Sequence, residues 1–278
     1  MVDLHTHTNR SDGSFTPTEL VAHAKELGLK AIAITDHDTF NGLEEGLEAG
    51  KKYGIEVIPG VELSTKIDGH NVHITGLFID INNKEINEFL KFMKDTREGR
   101  NLVMIRKLEE LGLNISLSDF PPIEEDVVIT KGNIASVLVE RGYAKDSNEA
   151  IEKYLEKGGL AYVPRKHPLP QKGIDIIHAA GGKAFLAHFN QIVKKDRDES
   201  ERYARMIMEM GADGIETRYS EFDDDYRERA EKIASDYKVL RSGGSDFHGT
   251  IKPKIALGTG FGDLIVPDEF LVDIKASL

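Results

Sequence analysis

Histidines and carboxylates recur in short motifs along this chain, and they constrain its fold more than any other feature. In chain order these are His5-Thr6-His7, Asp36-His37-Asp38, Glu62, His73, Ala187-His188 and Asp246-Phe247-His248. The 278 residues include no cysteine, which excludes disulfides and thiolate ligands. Imidazole and carboxylate groups that converge from distant positions typically bind divalent metal ions. The chain is therefore expected to fold so that these segments meet.

The first 80 residues alternate between strand and helix patterns. Residues 2–7 are predicted to form a strand, and Thr16 to cap a helix in which Pro17 takes the first position and Glu19 completes a capping box. The apolar run 31–34 is typical of a parallel strand buried on both faces. A helix over 43–53 and a strand over 55–61 follow. This order predicts an α/β barrel.

The middle of the chain has a different character. Residues 85–111, 134–141 and 148–155 have helical patterns without an intervening strand pattern, so residues 83–162 are predicted to form a helical insertion covering the active site. Residues 1–82 and 163–278 would form the barrel. Strand patterns return at 183–187, 214–216, 239–240 and 255–261, with helical patterns over 173–180, 202–210 and 223–237.

The motifs fall where such a barrel places its active site. Residues two apart on a strand face the same side, so His5 and His7 point together, as would Asp246 and His248 if they extend the strand after residue 240. Other motifs follow strands, at the carboxyl ends that form the active-site face of a barrel. We predict nine metal ligands: His5, His7, Asp12, His37, Glu62, His73, His188, Asp246 and His248. Asp38 is interpreted as a helix cap.

This donor set favours particular metals and a particular chemistry. Imidazole with carboxylate suits Mn²⁺, Fe²⁺ or Zn²⁺ better than Ca²⁺ or Mg²⁺. Nine donors exceed the needs of one ion, so two or three ions are expected, with Glu62 bridging. Such a cluster activates a bridging water and clamps phosphoryl oxygens. We expect catalytic side chains among His188, His248 and Asp246, with His188, His248 and a metal-bound water as alternatives for protonating the leaving oxygen.

Composition limits the partners. The formal net charge of −12 disfavours duplex nucleic acid, whereas a small anionic substrate remains compatible because bound metals set the local field. There is no apolar run near the ~20 residues of a membrane span. The first residues have neither a basic stretch nor an apolar segment of the signal-peptide type. We therefore expect a cytoplasmic protein without a membrane partner.

Together these motifs resemble those of the PHP family, named after polymerase and histidinol phosphatase. Its opening motif is similar to Asp3-Leu4-His5-Thr6-His7 followed by Ser11-Asp12-Gly13-Ser14. Later motifs match in order at Thr35-Asp36-His37-Asp38, Pro59-Gly60-Val61-Glu62, His73-Ile74-Thr75-Gly76, Ala187-His188 and Ser245-Asp246-Phe247-His248-Gly249. The chain looks most like the stand-alone phosphoesterase branch, which carries a helical insertion at the same place.

The resemblance implies a distorted (β/α)7 barrel with a trinuclear centre. Carried over to this sequence, His5, His7, Glu62 and Asp246 would hold one ion. Asp12, His37 and His248 would hold a second, and Glu62, His73 and His188 a third. Stand-alone members act on nucleoside 3′,5′-bisphosphates, on nucleoside monophosphates, or on the 5′ end of short single-stranded RNA. Related members hydrolyse cyclic sugar phosphates or histidinol phosphate.

Two segments depart from the branch, and both are expected to face the substrate. Phe189-Asn190 stands where proline and glycine often follow the histidine, and Lys131-Gly132-Asn133-Ile134 replaces Arg-Pro-His-Ile. A phosphate not bound to metal needs cationic donors. The candidate substrate contacts are Arg97, Arg100, Lys131, Asn190 and Arg218, with Arg165 and Lys166 as further candidates.

Two other functions stay open at this stage. One is a hydrolase on a similar metal barrel that cleaves an amide or lactam. The other is a non-catalytic metal-binding module, as in polymerase-attached domains.

Overall fold

A seven-stranded sheet, curved into a nearly closed barrel, forms the centre of the molecule. The computed structural model describes residues 1–120, 129–164 and 166–278. Neighbouring strands follow the order of the chain. They are β1 (Val2–Thr6), β2 (Ala31–Ile34), β3 (Glu56–Ile67), β4 (His70–Leu77), β5 (Lys183–Leu186), β6 (Gly214–Tyr219) and β7 (Leu240–Gly244). The predicted distorted (β/α)7 barrel is confirmed.

The first and last strands approach each other through one backbone bridge and one buried carboxylate. Thr6 and Phe247 form an isolated parallel bridge. The fully buried Asp3 carboxylate accepts hydrogen bonds from the Ser245 N–H at 2.9 Å, the Ser245 hydroxyl at 2.5 Å and the Gly258 N–H at 2.8 Å. Burial raises the pKa of Asp3 against the opposing effect of these bonds. This carboxylate therefore ties β1 to the chain after β7.

Strand β4 runs in the opposite direction to the other described strands. It pairs antiparallel with β3 and with β5, whereas the remaining pairs are parallel. Asp68 and Gly69 connect β3 to β4 with φ angles of 49° and 89°, as in a type I′ hairpin turn. The expected strand–helix alternation is interrupted here because so short a turn leaves no room for a crossover helix. The reversal puts the beginning of β4, with His73, at the rim where the other strands end.

Helices cover the outside of the barrel and extend from one edge of it. They are α1 (Pro17–Glu26), α2 (Leu43–Tyr53), α3 (Lys84–Glu110), α4 (Lys131–Glu140), α5 (Ser147–Ala150), α6 (Pro170–Ala179), α7 (Arg197–Glu209), α8 (Asp224–Tyr237) and α9 (Asp268–Ala276). The predicted capping box at the start of α1 is confirmed, since Thr16 and Glu19 bond each other's backbone N–H. Among the described residues, no helix is both long enough and apolar enough to cross a membrane.

The segment from the end of α3 to residue 161 has a hydrophobic cluster of its own. Met104, Leu138 and Leu155 are fully buried within it. The first turns of α3 belong instead to the barrel core, through Ile86 and Leu90. Helix α3 therefore contributes to two hydrophobic clusters. Its first turns pack in the core of the barrel, and its last turns pack in the cluster formed with the segment that follows it.

Two sequence expectations about the end of the chain are wrong. Residues 255–261 do not form a strand. Gly258 and Gly260 have φ angles of 77° and 58°, and Ala256 bridges back to Gly260 in a tight turn. Asp246 does not extend β7 either, because its φ of 56° ends the extended backbone before His248. The sequence pattern also gave no indication of α9.

We expect Gly244→Ala to destabilise the barrel where β7 approaches β1. A Cβ at residue 244 would lie 2.5 Å from the Cβ of His5 and 2.8 Å from Asp3 Oδ1, so the strands would have to separate. The expected loss is about 1–3 kcal/mol in the free energy of unfolding, measured by urea denaturation. Gly99→Ala is the matched control, because no atom of the described part of the chain lies within 4 Å of a Cβ at that helical position. It should stabilise slightly, and an equal effect of both substitutions would contradict the close approach.

Candidate metal centre

The Glu62 carboxylate lies at the middle of a cluster of imidazole rings. Glu62 is a completely buried residue within β3, whereas the sequence pattern had placed it just after a shorter strand. Its Oε1 is 2.7 Å from His188 Nε2 and 2.8 Å from His73 Nδ1. The nitrogens near Oε2 are His37 Nδ1 at 3.0 Å, His7 Nε2 at 3.2 Å and His5 Nε2 at 3.3 Å. The Glu62 carboxylate therefore lies within 3.3 Å of imidazole nitrogens from β1, from β4 and from the ends of β2 and β5.

The ends of β1 and β7 provide a second group of donors. His7 Nε2 lies 3.2 Å from Asp246 Oδ1 and 3.2 Å from His5 Nε2. His248 Nδ1 bonds the Asp246 backbone carbonyl at 2.7 Å. Because that nitrogen must carry a hydrogen to donate to a carbonyl, Nε2 is the nitrogen of His248 that faces Asp12 Oδ1, 3.3 Å away. The alternation of side chains along a strand did not predict the change of backbone direction at Asp246. Asp246 and His248 nevertheless both face the site.

Asp36 holds the loop that carries Asp12. Its carboxylate accepts from the Thr8 N–H at 2.8 Å, the Thr8 hydroxyl at 2.6 Å and the Ser11 hydroxyl at 2.6 Å. Asp12 is thereby brought over the end of β1, with Oδ2 3.7 Å from His37 Nε2. Asp36 stands next to a predicted ligand in the sequence, but no sequence signal had given it this role.

The structure brings together all nine residues predicted as ligands. They fall into four overlapping groups whose ligand atoms lie within 4.8 Å of one another: His7/Asp12/His37/His248, His5/Glu62/His188, His5/His7/Asp246 and His37/Glu62/His73. Three buried atoms in these groups make no hydrogen bond to any residue that the structure describes, namely His7 Nδ1, His37 Nδ1 and Glu62 Oε2. Divalent cations would satisfy such atoms, so the donor set fits a metal centre. Glu62 Oε2 lies within 3.3 Å of both His5 Nε2 and His7 Nε2, so the implied assignment of Glu62, His5 and His7 to one ion stays a prediction.

Burial and mutual attraction together set the charges of the cluster. Burial opposes ionisation of Glu62, but the charges of His37, His73 and His5 outweigh it and hold the carboxyl pKa well below its usual value. Burial would likewise lower the pKa of His7, yet bonds to Asp246 and Glu62 raise it to about 9. The His37 pKa is lowered, chiefly by burial. Burial would also lower the pKa of His5, but Glu216 and Glu62 raise it well above its usual value. Without metal, the cluster thus pairs carboxylates with protons on His5 and His7.

A pocket of about 420 Å³ opens beside this cluster. Asp12, His37 and His73 line it on the metal side. Many of its other lining residues come from β3, from α3 and from the segment between residues 130 and 167. They include the cations Lys66, Arg97, Arg100, Lys131 and Lys157, together with Tyr162 and His167. The pocket therefore joins a cluster of possible ligands to a wall of positive charge.

The predicted substrate contacts divide into two groups. Arg97, Arg100 and Lys131 line the pocket, although Arg97 also donates to Asp38 and, at 3.0 Å, to the Ser64 hydroxyl. The predicted helix cap at Asp38 is therefore wrong, and α2 begins after Gly42 instead. Asn190 lies outside the pocket lining, and its buried Oδ1 has no hydrogen-bond partner among residues 1–120, 129–164 and 166–278.

Arg218 does not reach the pocket. Its guanidinium donates to Glu231 at 2.6 Å and lies over the Phe270 ring, on the outside of the barrel. The pairing register of β6 with β7 shifts between Glu216 and Arg218. This shift breaks the alternation of faces, so Arg218 points outward and Tyr219 points inward, with its hydroxyl 3.1 Å from Asp246 Oδ2. Lys166 is not in the lining either, and Arg165 lies outside the described residues.

Sequence reasoning missed two further polar groups at the cluster. Lys252 donates to Asp246 Oδ2 at 2.7 Å, and Glu216 bonds His5 from β6 at 2.6 Å. Lys252 follows the last histidine motif by only four positions, which gave no particular signal. Glu216 is an acidic residue in an apolar buried strand, and that mismatch could have singled it out.

An α/β barrel with histidines and carboxylates gathered at one rim defines the class of metal-dependent hydrolases. Residues 3–238 match the model of the PHP domain. The chain therefore belongs to the PHP domain family, and it is a metal-dependent phosphoesterase of that family.

Relatives of similar length carry several substrate names. The chain is 34% identical over 261 residues to the 5′-3′ exoribonuclease Rnm of Escherichia coli (strain K12), covering 92% of this chain and 87% of that one. It is 32% identical over 248 residues to the 3′,5′-nucleoside bisphosphate phosphatase of Chromobacterium violaceum, covering 89% and 87%. A phosphoribosyl 1,2-cyclic phosphate 1,2-diphosphodiesterase of Eggerthella lenta is 26% identical over 251 residues, covering 89% and 94%.

Two solved structures match this chain over most of their length. A protein from Bifidobacterium adolescentis, provisionally assigned as a metal-dependent phosphoesterase, superposes with a TM-score of 0.87 at 29% identity, covering 99% of this chain and 95% of that one. An amidohydrolase from Chromobacterium violaceum, with bound sulfate and no metal, gives a TM-score of 0.80 at 31% identity, covering 90% and 88%.

Metal binding is expected to tighten as the pH rises. A cation binds neutral imidazole, whereas His7 keeps a proton below about pH 9 in the metal-free protein. Each displaced proton should weaken Mn²⁺ binding roughly tenfold for every pH unit below that value. Calorimetric titration between about pH 6.5 and about pH 8.5 measures this slope. His178→Ala, at a surface histidine paired with Asp213, should keep the slope, and a dissociation constant independent of pH would contradict the competition.

Proposed function

We propose that this protein hydrolyses phosphate esters of a nucleotide-like substrate that carries a second phosphate, either a nucleoside 3′,5′-bisphosphate or the 5′ end of a short single-stranded RNA. One observation supports the proposal: the candidate metal ligands Asp12, His37 and His73 line the same pocket as a cationic wall formed by Lys66, Arg100 and Lys131. A substrate with two phosphates could place one against the metal ligands and the other against the cationic wall. The names of the Escherichia coli and Chromobacterium violaceum relatives describe substrates of this kind.

We assign the nine clustered residues as ligands of two or three divalent ions, Mn²⁺, Fe²⁺ or Zn²⁺. Ions bound there would supply activated water and charge neutralisation for displacement at phosphorus. The protein's part is to hold the donors in place. His188 and His248 each direct Nε2 at a carboxylate, at 2.7 Å and 3.3 Å. This geometry favours ligation as their first role, with proton transfer to the leaving oxygen as a second. Asp246, fixed through Oδ2 by Lys252 and Tyr219, presents Oδ1 to the histidines.

The cationic wall would select the substrate. Lys131 is half-buried, and burial together with the nearby charge of Arg100 lowers its pKa to about 8. The Glu156 carboxylate in the same pocket opposes this, and Lys66 adds a smaller lowering. These three cations repel one another and Glu156 offsets the repulsion only in part, so a further anion would stabilise them. A phosphate would do so through charge-assisted hydrogen bonds. Tyr162, whose ring lies 5.9 Å from Lys131 Nζ, offers an aromatic surface beside that position.

We further propose that residues 83–162 act as an insertion covering the active site, while 1–82 and 163–278 form the metal-binding barrel. The pocket lining supports this division. Arg100, Lys131, Glu156 and Tyr162 contribute from the insertion, whereas Asp12, His37 and His73 contribute from the barrel. Substrate selection and metal binding would then belong to different parts of the chain.

Phosphate release from a substrate panel tests the function. Protein loaded with Mn²⁺ is offered a nucleoside 3′,5′-bisphosphate, a nucleoside monophosphate, a 5′-phosphorylated RNA trimer, a cyclic sugar phosphate, histidinol phosphate and an amide. We expect the bisphosphate or the RNA to be turned over fastest, and His7→Ala to abolish turnover. Cleavage of the amide alone would favour the amidohydrolase alternative that one structural relative raises. Preference for the cyclic phosphate would favour the activity named for the Eggerthella lenta relative, and no turnover a non-catalytic metal-binding module.

Removing one cation from the pocket should affect substrates with two phosphates most. Lys131→Ala and Arg100→Ala are each expected to lower kcat/KM for the bisphosphate by about 10- to 100-fold, since a hydrogen bond to a charged group contributes about 1.5–3 kcal/mol. The monophosphate should be much less affected. Arg218→Ala is the control, because that guanidinium bonds Glu231 outside the pocket. Equal losses with both substrates would contradict a second phosphate site.

The activity should also depend on the charge of Lys131. With a pKa of about 8, this side chain is positive below that pH and neutral above it. The KM for the bisphosphate should therefore rise as the pH increases beyond about 8, while the KM for the monophosphate changes less. In Lys131→Arg, the guanidinium stays charged, so the rise should disappear. A KM that rises identically in the arginine variant would show that another group is responsible.

A further inference from the structure

Strand β6 contributes none of the nine candidate ligands, yet it points a carboxylate at two of them. Glu216 is almost fully buried in the barrel. Its Oε1 lies 2.6 Å from His5 Nδ1, and its Oε2 accepts the backbone N–H of His188 at 2.6 Å. A single side chain on β6 therefore contacts both β1, at His5, and the residue His188 that follows β5.

Both contacts act on groups that reach Glu62. The ring nitrogen of His5 opposite the Glu216 contact lies 3.3 Å from Glu62 Oε2. The Nε2 of His188 lies 2.7 Å from Glu62 Oε1. Small rotations of either imidazole would change the positions of these nitrogens, so the direction of each ring matters to any ion bound between them.

For His5, the contact decides which nitrogen is available. A carboxylate can only accept, so His5 Nδ1 keeps its hydrogen and directs it at Glu216. Nε2 is then the nitrogen that can give up a proton and present a lone pair to a cation. Carboxylate–histidine pairs of this kind orient the ring and increase its basicity as a ligand.

For His188, the contact stabilises an uncommon backbone conformation. His188 has a φ of 22° and a ψ of 58°, on the left-handed side that non-glycine residues seldom adopt. It lies just after β5, at the start of the short helical turn Phe189–Gln191. The Glu216 carboxylate holds the N–H of this residue, which turns the imidazole toward Glu62 instead of along the strand.

We infer that Glu216 is a positioning residue of the metal centre, which fixes His5 by its ring and His188 by its backbone. The inference rests on the proposed metal site. It assigns to β6 a role in metal affinity without direct ligation.

Mn²⁺ binding by metal-free protein tests this role independently of any substrate. Glu216→Gln keeps the shape of the side chain but offers one acceptor oxygen for two N–H donors. We expect the dissociation constant for Mn²⁺ to increase by about 10- to 100-fold. Glu216→Asp keeps the charge but is one methylene shorter, so an intermediate increase is expected. The control is Glu231→Gln, which removes a carboxylate bonded to Arg218 and Arg241 outside the barrel and should leave Mn²⁺ affinity unchanged.

A second measurement separates positioning from general stability. In Glu216→Gln, phosphate release should require a higher Mn²⁺ concentration for half-maximal rate, by the same factor as the dissociation constant, while the rate at saturating Mn²⁺ recovers most of its value. Thermal unfolding of the metal-free variants should stay close to that of Glu231→Gln. Mn²⁺ affinity within about twofold of wild type in both Glu216 variants would overturn the inference, as would a loss that saturating Mn²⁺ does not restore.

The two proposals fail in different ways. If wild-type protein takes up no Mn²⁺, the metal centre itself is wrong and this inference falls with it. If wild-type protein binds Mn²⁺ and both Glu216 variants bind it equally well, the positioning role alone is wrong.

Discussion

The contact on which this structure depends is that of a buried carboxylate, Glu62, with the imidazoles of five histidines. Removing a carboxylate from water costs several kcal/mol even after the protein relaxes, and that cost is offset only by close, well-oriented positive charge. In the metal-free protein, protons on neighbouring histidines provide this charge, as the raised pKa of His7 shows. Metal ions would provide it more strongly. Proton binding and metal binding are therefore alternatives at one site, and the ionisation state of the barrel rim is coupled to whichever cation is present.

The barrel meets this requirement by bringing distant segments to a single rim. Parallel strands alone would place ligands only after their carboxyl ends. The reversal of β4 adds a ligand near the start of a strand, so that His73 stands beside Glu62 in the same hairpin. At the opposite side, Gly244 allows β7 to approach β1 closely enough for Asp246 to reach His7. Local backbone features, a hairpin turn and a glycine, thus decide whether the donors come within bonding distance.

Much of the candidate site could be predicted from the sequence, because motifs at strand ends follow from period-two alternation and barrel geometry. His5 and His7 are an example: two residues apart on one strand, they must face the same side. Where the backbone departs from regular geometry, the prediction was wrong. A positive φ at Asp246 ended the strand, and a register shift in β6 turned Arg218 outward and Tyr219 inward. The partners of Asp38 and Glu216 depend on contacts between distant segments, which no local pattern contains.

The distribution of charge explains how an acidic chain could attract an anionic substrate. The formal net charge is −12, so the average field would repel phosphate. Within the pocket, however, Lys66, Arg100 and Lys131 stand opposite donors suited to divalent ions, and bound ions would add to this positive charge. The cation Arg100 lies in α3 and Lys131 begins α4, whereas the metal donors come from the barrel. If the metal donors carry out hydrolysis and these cations choose the substrate, the same barrel chemistry can serve different phosphate esters when only the cationic wall changes. That separation would account for the different substrates named for relatives that share this barrel.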